Sequence, residues 1–117
     1  MRTFNMQAAQ GDLLLRRIGD EGAPMPGDAI EERHTGTVVL AHSETGHHHS
    51  IAAAPSVVQL FGSSDPLKGY LSVRSRPVEL KHHRDYDTHE TLRIDPGLYE
   101  VRRQREHTPE GWRRVED

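Results

Sequence analysis

The chain has 117 residues and a formal net charge of −3, with nine histidines and no cysteine. A chain of this length typically forms one domain, so we predict a single β domain over residues 1–117. The absence of cysteine excludes disulfides and thiolate metal ligands. The mixed charges argue against a protein that binds duplex DNA through bulk positive charge. No apolar run has the length of a signal peptide core or a membrane span, which predicts a cytoplasmic protein without a membrane partner.

Short strands separated by turn residues are predicted from the amino terminus onward. Residues 11–18 have a continuous apolar centre that is typical of a strand, although the pattern is also compatible with a short helix. Residues 19–28 combine glycine, proline and acidic residues, which predicts a loop. Apolar and β-branched residues predict strands at 35–42 and 57–61, and the chain is expected to be extended at 47–53 as well.

The second half of the chain continues this pattern. Residues 67–82 are predicted to contain at least one strand, with Pro77 at an edge, a bulge or a break. A strand is predicted around the turn at residues 95–97, within 91–105, and residues 107–117 are expected to form a carboxy-terminal tail. Short strands without a helical period favour a mostly-β fold, either a small β-barrel or a jelly-roll-like sandwich.

Two histidine clusters are the strongest compositional signal. The first is the segment 42–49, with the sequence HSETGHHH. Alternate side chains of a strand share a face, so His47 and His49 are predicted to point in the same direction as Ile51 and Ala53. The latter two are apolar, which predicts that both histidines face inward.

The second cluster lies at residues 81–90, with the sequence KHHRDYDTHE. His82 shares its parity with Val78 and Leu80, so it is predicted to continue an apolar face inward. His89 is out of phase with the apolar residues that follow it, which counts against an inward position. His34 and His107 lie outside both clusters and are interpreted as surface residues.

Together the clusters predict a site of three or four nitrogen ligands for a divalent transition metal ion, either Zn, Fe, Ni or Mn. Neutral imidazole is a good ligand for several of these ions. The alternative is that the histidines are solvated and bind metal only adventitiously. The predicted metal ligands are His47, His49, His82 and His89.

The first cluster resembles the metal site of the cupin family. In cupins a jelly-roll barrel holds its metal with two histidines of an HxH motif, a glutamate soon after and a histidine from a second motif. Gly46, His47 and His49 match the first motif, and His82 or His89 would take the place of the later histidine. The resemblance implies a cupin-like β-barrel with a bound metal ion.

The chain also departs from the cupin pattern. Ala53 and Ala54 stand where the family has its glutamate. The Pro-Gly turn at residues 95–97 resembles that of the second motif, but no histidine follows it on the next strand. The matched positions cover less than half of the chain, and likeness at the level of the fold does not determine function.

Residues 98–106 alternate most clearly and place Tyr99, Val101 and Arg103 on one face. If Tyr99 and Val101 face the interior, Arg103 points towards the same cavity and can bind a carboxylate or phosphate through its planar guanidinium. The alternative is an exposed edge strand whose charges discourage aggregation.

These residues predict a small metal-dependent enzyme acting on a small anionic molecule, with an unresolved reaction type. In this hypothesis Glu44 or His42 is the general base, and Tyr99 or Arg103 orients the substrate. The alternative is a non-catalytic module for binding or assembly that a metal ion stabilises, and exposed strand edges are compatible with a homo-oligomer. Binding of single-stranded nucleic acid is disfavoured because the chain has few aromatic residues for stacking.

Overall fold

The computed structural model describes residues 2–3, 6–10, 13–41, 49–83, 88–103, 105–108 and 111–114. Within these ranges the chain consists of β-strands joined by turns and loops, which confirms the predicted mostly-β fold. The described residues therefore include no helix that is long and apolar enough to cross a membrane. In chain order the strands are β1 (Arg2–Thr3), β2 (Gln7–Gln10), β3 (Leu13–Gly19), β4 (Ile30–Glu32), β5 (Thr37–Ala41), β6 (His49–Ala52), β7 (Val58–Gly62), β8 (Lys68–Val73), β9 (Val78–His83), β10 (Thr88–Ile94), β11 (Gly97–Arg103), β12 (Arg105–Thr108) and β13 (Gly111–Arg114).

The strands pair into two large sheets and one two-stranded hairpin. The five-stranded sheet has the order β1–β10–β9–β6–β5, and the six-stranded sheet has the order β2–β3–β11–β8–β7–β4. Neighbouring strands are antiparallel, apart from the parallel pair β1 and β10. The described strands therefore form a small sandwich rather than one closed barrel.

The two sheets pack face to face around one apolar core. Alternation within each strand decides which residues enter it, because successive side chains point to opposite faces. On β6, for example, His49 and Ile51 are buried while Ala52 is exposed. The largest apolar side chains of the core, all fully buried, come from both sheets: Leu13, Leu15, Leu40, Ile51, Leu71, Leu80, Leu92, Ile94 and Tyr99.

Strand β11 lies in the middle of the six-stranded sheet, between β3 and β8. The alternative that it is an exposed edge strand is therefore wrong. Its outer face is covered as well, because Glu100 is only 6 % exposed and its carboxylate accepts a hydrogen bond of 2.6 Å from Nε of Arg102. Arg16 and Lys68 lie within 4 Å of the same carboxylate.

Residues 67–82 agree with the prediction, since they hold two strands, β8 and β9, with Pro77 in the break between them. Two other elements differ from the predicted pattern. The predicted tail at residues 107–117 contains strand pairing, since β12 and β13 are paired antiparallel strands. Strand β2 has the sequence QAAQ, which has no strand signal, and it is stabilised by its pairing with β3.

Replacing Leu80 by alanine tests the packing between the sheets. Leu80 is fully buried on β9, so Leu80→Ala should lower the free energy of unfolding by about 2–5 kcal/mol. Ile30→Ala is the matched control, because Ile30 is 58 % exposed and its truncation should cost less than about 0.5 kcal/mol. Urea denaturation measures both, and equal effects of the two variants would contradict this packing.

Candidate functional site

The register of the five-stranded sheet brings three of the predicted metal ligands into one row. Position 49 on β6 lies directly opposite position 82 on β9, and position 82 lies directly opposite position 89 on β10. Directly opposite positions belong to the same face of a sheet, and neighbouring strands are about 4.8 Å apart. His49, His82 and His89 therefore occupy adjacent places in what we call the histidine row.

A β-bulge in β10 accounts for the phase of His89. The register of β10 against β9 shifts between His89 and Leu92, so one additional residue is inserted there. Leu92 is buried and pairs with buried Leu80 on the inner face. The inserted residue moves position 89 into register with position 82, although His89 and Leu92 differ in parity.

His49 is buried within the core and is only 1 % exposed. This confirms its predicted inward direction. The next inward pair along the same two strands is Ile51 opposite Leu80, and both are fully buried. Among the residues whose side chains the structure describes, no three histidine, aspartate or glutamate side chains form a group able to hold a metal ion. Of the predicted ligands, that set contains His49 alone.

The described residues of both histidine clusters lie at the same end of the five-stranded sheet. His49 is the first residue of β6, and the antiparallel neighbour β9 ends at His83. The end of β5 and the start of β10 therefore lie on this side as well. The predicted site residues His42, Glu44 and His47 belong to the segment between β5 and β6 and lie outside the described residues.

Arg103 reaches the same end of the sandwich from the opposite sheet. Its Nε donates a hydrogen bond of 2.6 Å to the carbonyl oxygen of Leu40 on β5. Leu40 lies at a second bulge, between Val39 and Ala41, where the register of β5 against β6 shifts and Ala41 comes opposite His49. The half-buried Arg103 thus connects the two sheets at Leu40, which is next in sequence to Ala41, the residue opposite His49.

The backbone around Arg103 fixes its position. Its N–H donates a hydrogen bond of 2.8 Å to the carbonyl oxygen of Leu67. Gly69 on β8 lies beside this side chain and is required by the neighbouring backbone, because a Cβ atom there would lie 2.5 Å from the carbonyl oxygen of Phe61 and at an ordinary contact distance of 3.6 Å from Nη1 of Arg103. A larger residue at position 69 would therefore displace the backbone next to the Arg103 side chain.

The structure does not bring Tyr99 together with these residues. Tyr99 precedes Arg103 by four residues on β11, a distance of roughly 13 Å along the strand. Its hydroxyl donates a hydrogen bond of 2.7 Å to the carbonyl oxygen of Asp95 and accepts one of 3.1 Å from Arg17. These contacts hold the turn between β10 and β11, so they give Tyr99 a structural role.

His34 was interpreted as a surface residue, and this is wrong. It is half-buried, and its Nε2 lies 2.7 Å from the carbonyl oxygen of Val58, to which it donates a hydrogen bond. The contact ties the segment before β5 to the start of β7. No feature of the sequence around His34 indicates this partner, since the acceptor is a backbone group.

Residues 9–104 match the model of one protein family, described as a domain of unknown function, DUF8820. The chain belongs to the DUF8820 family. The DUF8820 match includes the three positions of the histidine row and Arg103. No curated protein and no solved structure matches the chain significantly. The DUF8820 match does not bear on the cupin resemblance, which stays a prediction.

Replacing Tyr99 by phenylalanine tests its structural role. Tyr99→Phe removes a buried hydroxyl with two partners and should lower the free energy of unfolding by about 1–2 kcal/mol at neutral pH. Burial also raises the pKa of the Tyr99 phenol, while the nearby Arg17 guanidinium opposes this shift.

Because the pKa of Tyr99 is raised, the difference in free energy of unfolding between the parent and Tyr99→Phe depends on pH. The folded state keeps the proton while the unfolded state loses it above about pH 10, so the advantage of the parent chain is lost as the pH rises through the folded pKa. Urea denaturation at about pH 8 and about pH 10.5 should show the gap between parent and variant closing. A gap that widens with pH would contradict the direction of the shift.

Proposed function

We propose that this chain binds one divalent transition metal ion through His49, His82 and His89 and acts as a metal-dependent enzyme on a small anionic molecule. The observation that supports the proposal is the histidine row. Three strands present a histidine at directly opposite positions, and the one described side chain of the three is buried.

The spacing of the row suits coordination of a single ion. The outer positions, 49 and 89, are two strand spacings apart, roughly 10 Å, with position 82 between them. An ion above position 82 would lie one strand spacing to the side of each outer position, a distance that an imidazole side chain can span. Three nitrogen ligands leave at least one coordination position open, which is typical of catalytic metal sites. A bound ion would supply Lewis acidity there.

The other site residues predicted from the sequence, His42, Glu44 and His47, are part of the proposal as well. His47 precedes His49 by two residues and would be a fourth ligand or a neighbour of the site. Glu44 and His42 lie in the same connecting segment and remain the candidates for the general base.

Arg103 supports an anionic substrate. Its guanidinium is held at the histidine end of the sandwich by the Leu40 carbonyl oxygen. A guanidinium has five N–H donors, so one donor can hold a carbonyl while others bind a carboxylate. Because this orientation is already fixed in the folded chain, substrate binding would cost little additional side-chain entropy.

The first test measures metal content and affinity. The purified, tag-free parent should bind about one equivalent of Zn²⁺ or another first-row ion per chain. Each of His49→Gln, His82→Gln and His89→Gln should bind the ion at least about tenfold more weakly, since loss of even an indirect partner of a ligand costs that much. Elemental analysis and competition with a chromophoric chelator give the two quantities.

The matched control is His34→Gln. This histidine lies outside the row, with the Val58 carbonyl oxygen as its partner, so metal affinity should equal that of the parent. Circular dichroism confirms that each variant is folded. If His82→Gln and His89→Gln bind metal as tightly as the parent, the histidine row is not the site.

The second test concerns the open coordination position and Arg103. Acetate added to the Co²⁺-loaded parent should change the visible absorption spectrum in a saturable manner. Arg103→Met should weaken the acetate response roughly tenfold while metal content is unchanged, because a hydrogen bond to a charged group is lost. Arg102→Met removes the same charge from the neighbouring residue, which pairs with Glu100 on the outer face, and should leave the response unchanged.

A second candidate function is a non-catalytic module that the metal ion stabilises, and the burial of His49 favours it. An ion held at this position would join β6, β9 and β10 from within the core. A spectrum that acetate does not alter, together with a large increase in melting temperature on metal binding, would favour this module over the enzyme.

A further inference from the structure

The outer face of the five-stranded sheet contains a groove of about 580 Å³. Its floor consists of small side chains, Thr37 on β5 together with Ser50 and Ala52 on β6. Longer side chains from β9, β10 and the turn before β9 rise beside this floor, so the difference in side-chain length creates the groove. Its volume lies within the range of small-molecule sites, about 300–1,000 Å³.

The rim of the groove is mainly cationic. Arg76, Lys81 and Arg93 line it together with one carboxylate, that of Glu79. Arg93 also contacts Asp95, with 3.3 Å between Nε and Oδ1, and both side chains are well exposed. Exposed pairs of this kind are weak. An incoming anion can therefore compete for Arg93, and Arg76 and Lys81 add two further positive charges.

A strained turn delivers Arg76 to the rim. The preceding residue, Ser75, has a φ of 75°, which lies in the left-handed region that non-glycine residues rarely adopt. The N–H of Ser75 donates a hydrogen bond of 2.9 Å to a carboxylate oxygen of Glu21, which holds the turn in this conformation. Strain of this kind is commonly retained where a side chain clamps a ligand.

The cations Lys81 and Arg93 come from β9 and β10, whereas the hydroxyl groups come from β5 and β6, and the two kinds of group meet where β6 pairs with β9. Lys81 on β9 is directly opposite Ser50 on β6, so positive charge and hydroxyl groups meet at the centre of the groove. Arg93 is on β10, which is one strand further than β9 from the opposite side of the groove. That side is formed by Thr37 on β5 and Ala52 on β6, which supply a hydroxyl group and an apolar surface. A complementary ligand has an anionic head and a hydroxylated body.

We propose that this groove binds a small phosphorylated polyol, such as a sugar phosphate. Arginine and lysine would hold the phosphate oxygens through charge-assisted hydrogen bonds, for which the planar guanidinium of Arg76 is well suited. The hydroxyls of Thr37 and Ser50 would bind hydroxyl groups of the ligand. None of these residues belongs to the histidine row, so the site is independent of the metal proposal.

Titration of the full chain with glucose 6-phosphate tests the site. Nuclear magnetic resonance of the backbone amides and calorimetry detect the binding. Saturable binding should shift amide signals on β6 and β9 around Ser50 and Lys81. Glucose should give no measurable binding, and inorganic phosphate should bind several-fold more weakly than glucose 6-phosphate. Equal affinity for phosphate and the sugar phosphate, or no binding of either, would overturn the proposal.

Variants assign the binding to the groove. Arg76→Gln and Lys81→Gln should each weaken glucose 6-phosphate binding roughly tenfold, because each removes a hydrogen bond to a charged group. Arg74→Gln is the matched control, since Arg74 is an exposed arginine of the same turn outside the groove lining, and it should bind as the parent does. Equal loss of glucose 6-phosphate affinity in all three variants would refute the assignment. Self-association that buries the groove, with sedimentation experiments measuring the oligomeric state, would refute it as well.

Discussion

The cross-strand registers of β6, β9 and β10 are the constraint on which the candidate site depends. They place His49 opposite His82 and His82 opposite His89. A slip of one residue in either register would move a histidine to the other face, because side chains alternate with a period of two. The apolar pair Ile51 and Leu80 beside the row resists a slip between β6 and β9, since the strand that moved would turn its buried side chain towards water.

Burial of His49 is costly in a chain with few apolar residues. Only 33 % of residues are hydrophobic, yet His49 occupies a core position as inaccessible as that of Ile51. A buried imidazole loses its hydration, and His49 has an interaction partner in the folded chain that offsets part of this cost. An aliphatic residue would fill the same space without needing a polar partner. Positions that break the local rule in this way are commonly functional.

Some of this arrangement could be predicted from the sequence, because β6 follows simple alternation. The inward direction of His49 followed from Ile51, whereas the shared parity of Tyr99 and Val101 placed them on one face without deciding between a buried strand and an exposed edge. The row itself could not be predicted in full, because a bulge changes the phase of His89 without any residue that marks it. Periodicity alone therefore counted against an inward position of His89, whereas the register places position 89 opposite position 82.

Other features depend on partners that are distant in the sequence. The anchor of Arg103 is the backbone carbonyl group of Leu40, and a backbone acceptor leaves no sequence signal. The central place of β11 results from pairing with β3 and β8, and no local pattern distinguishes it from an edge strand. The same non-local pairing stabilises β2, whose residues have little strand propensity.

Alternation also explains how one pair of strands can serve two sites. On β6 and β9, the row residues His49 and His82 are each adjacent in sequence to a groove residue, Ser50 and Lys81 respectively. Adjacent residues of a strand belong to opposite faces, so the two sites share backbone but no side chain. Substitutions in the groove should therefore leave metal affinity intact, whereas a change of register would destroy both sites together. The two proposed sites thus depend on one backbone geometry, while their chemistry is separable by mutation.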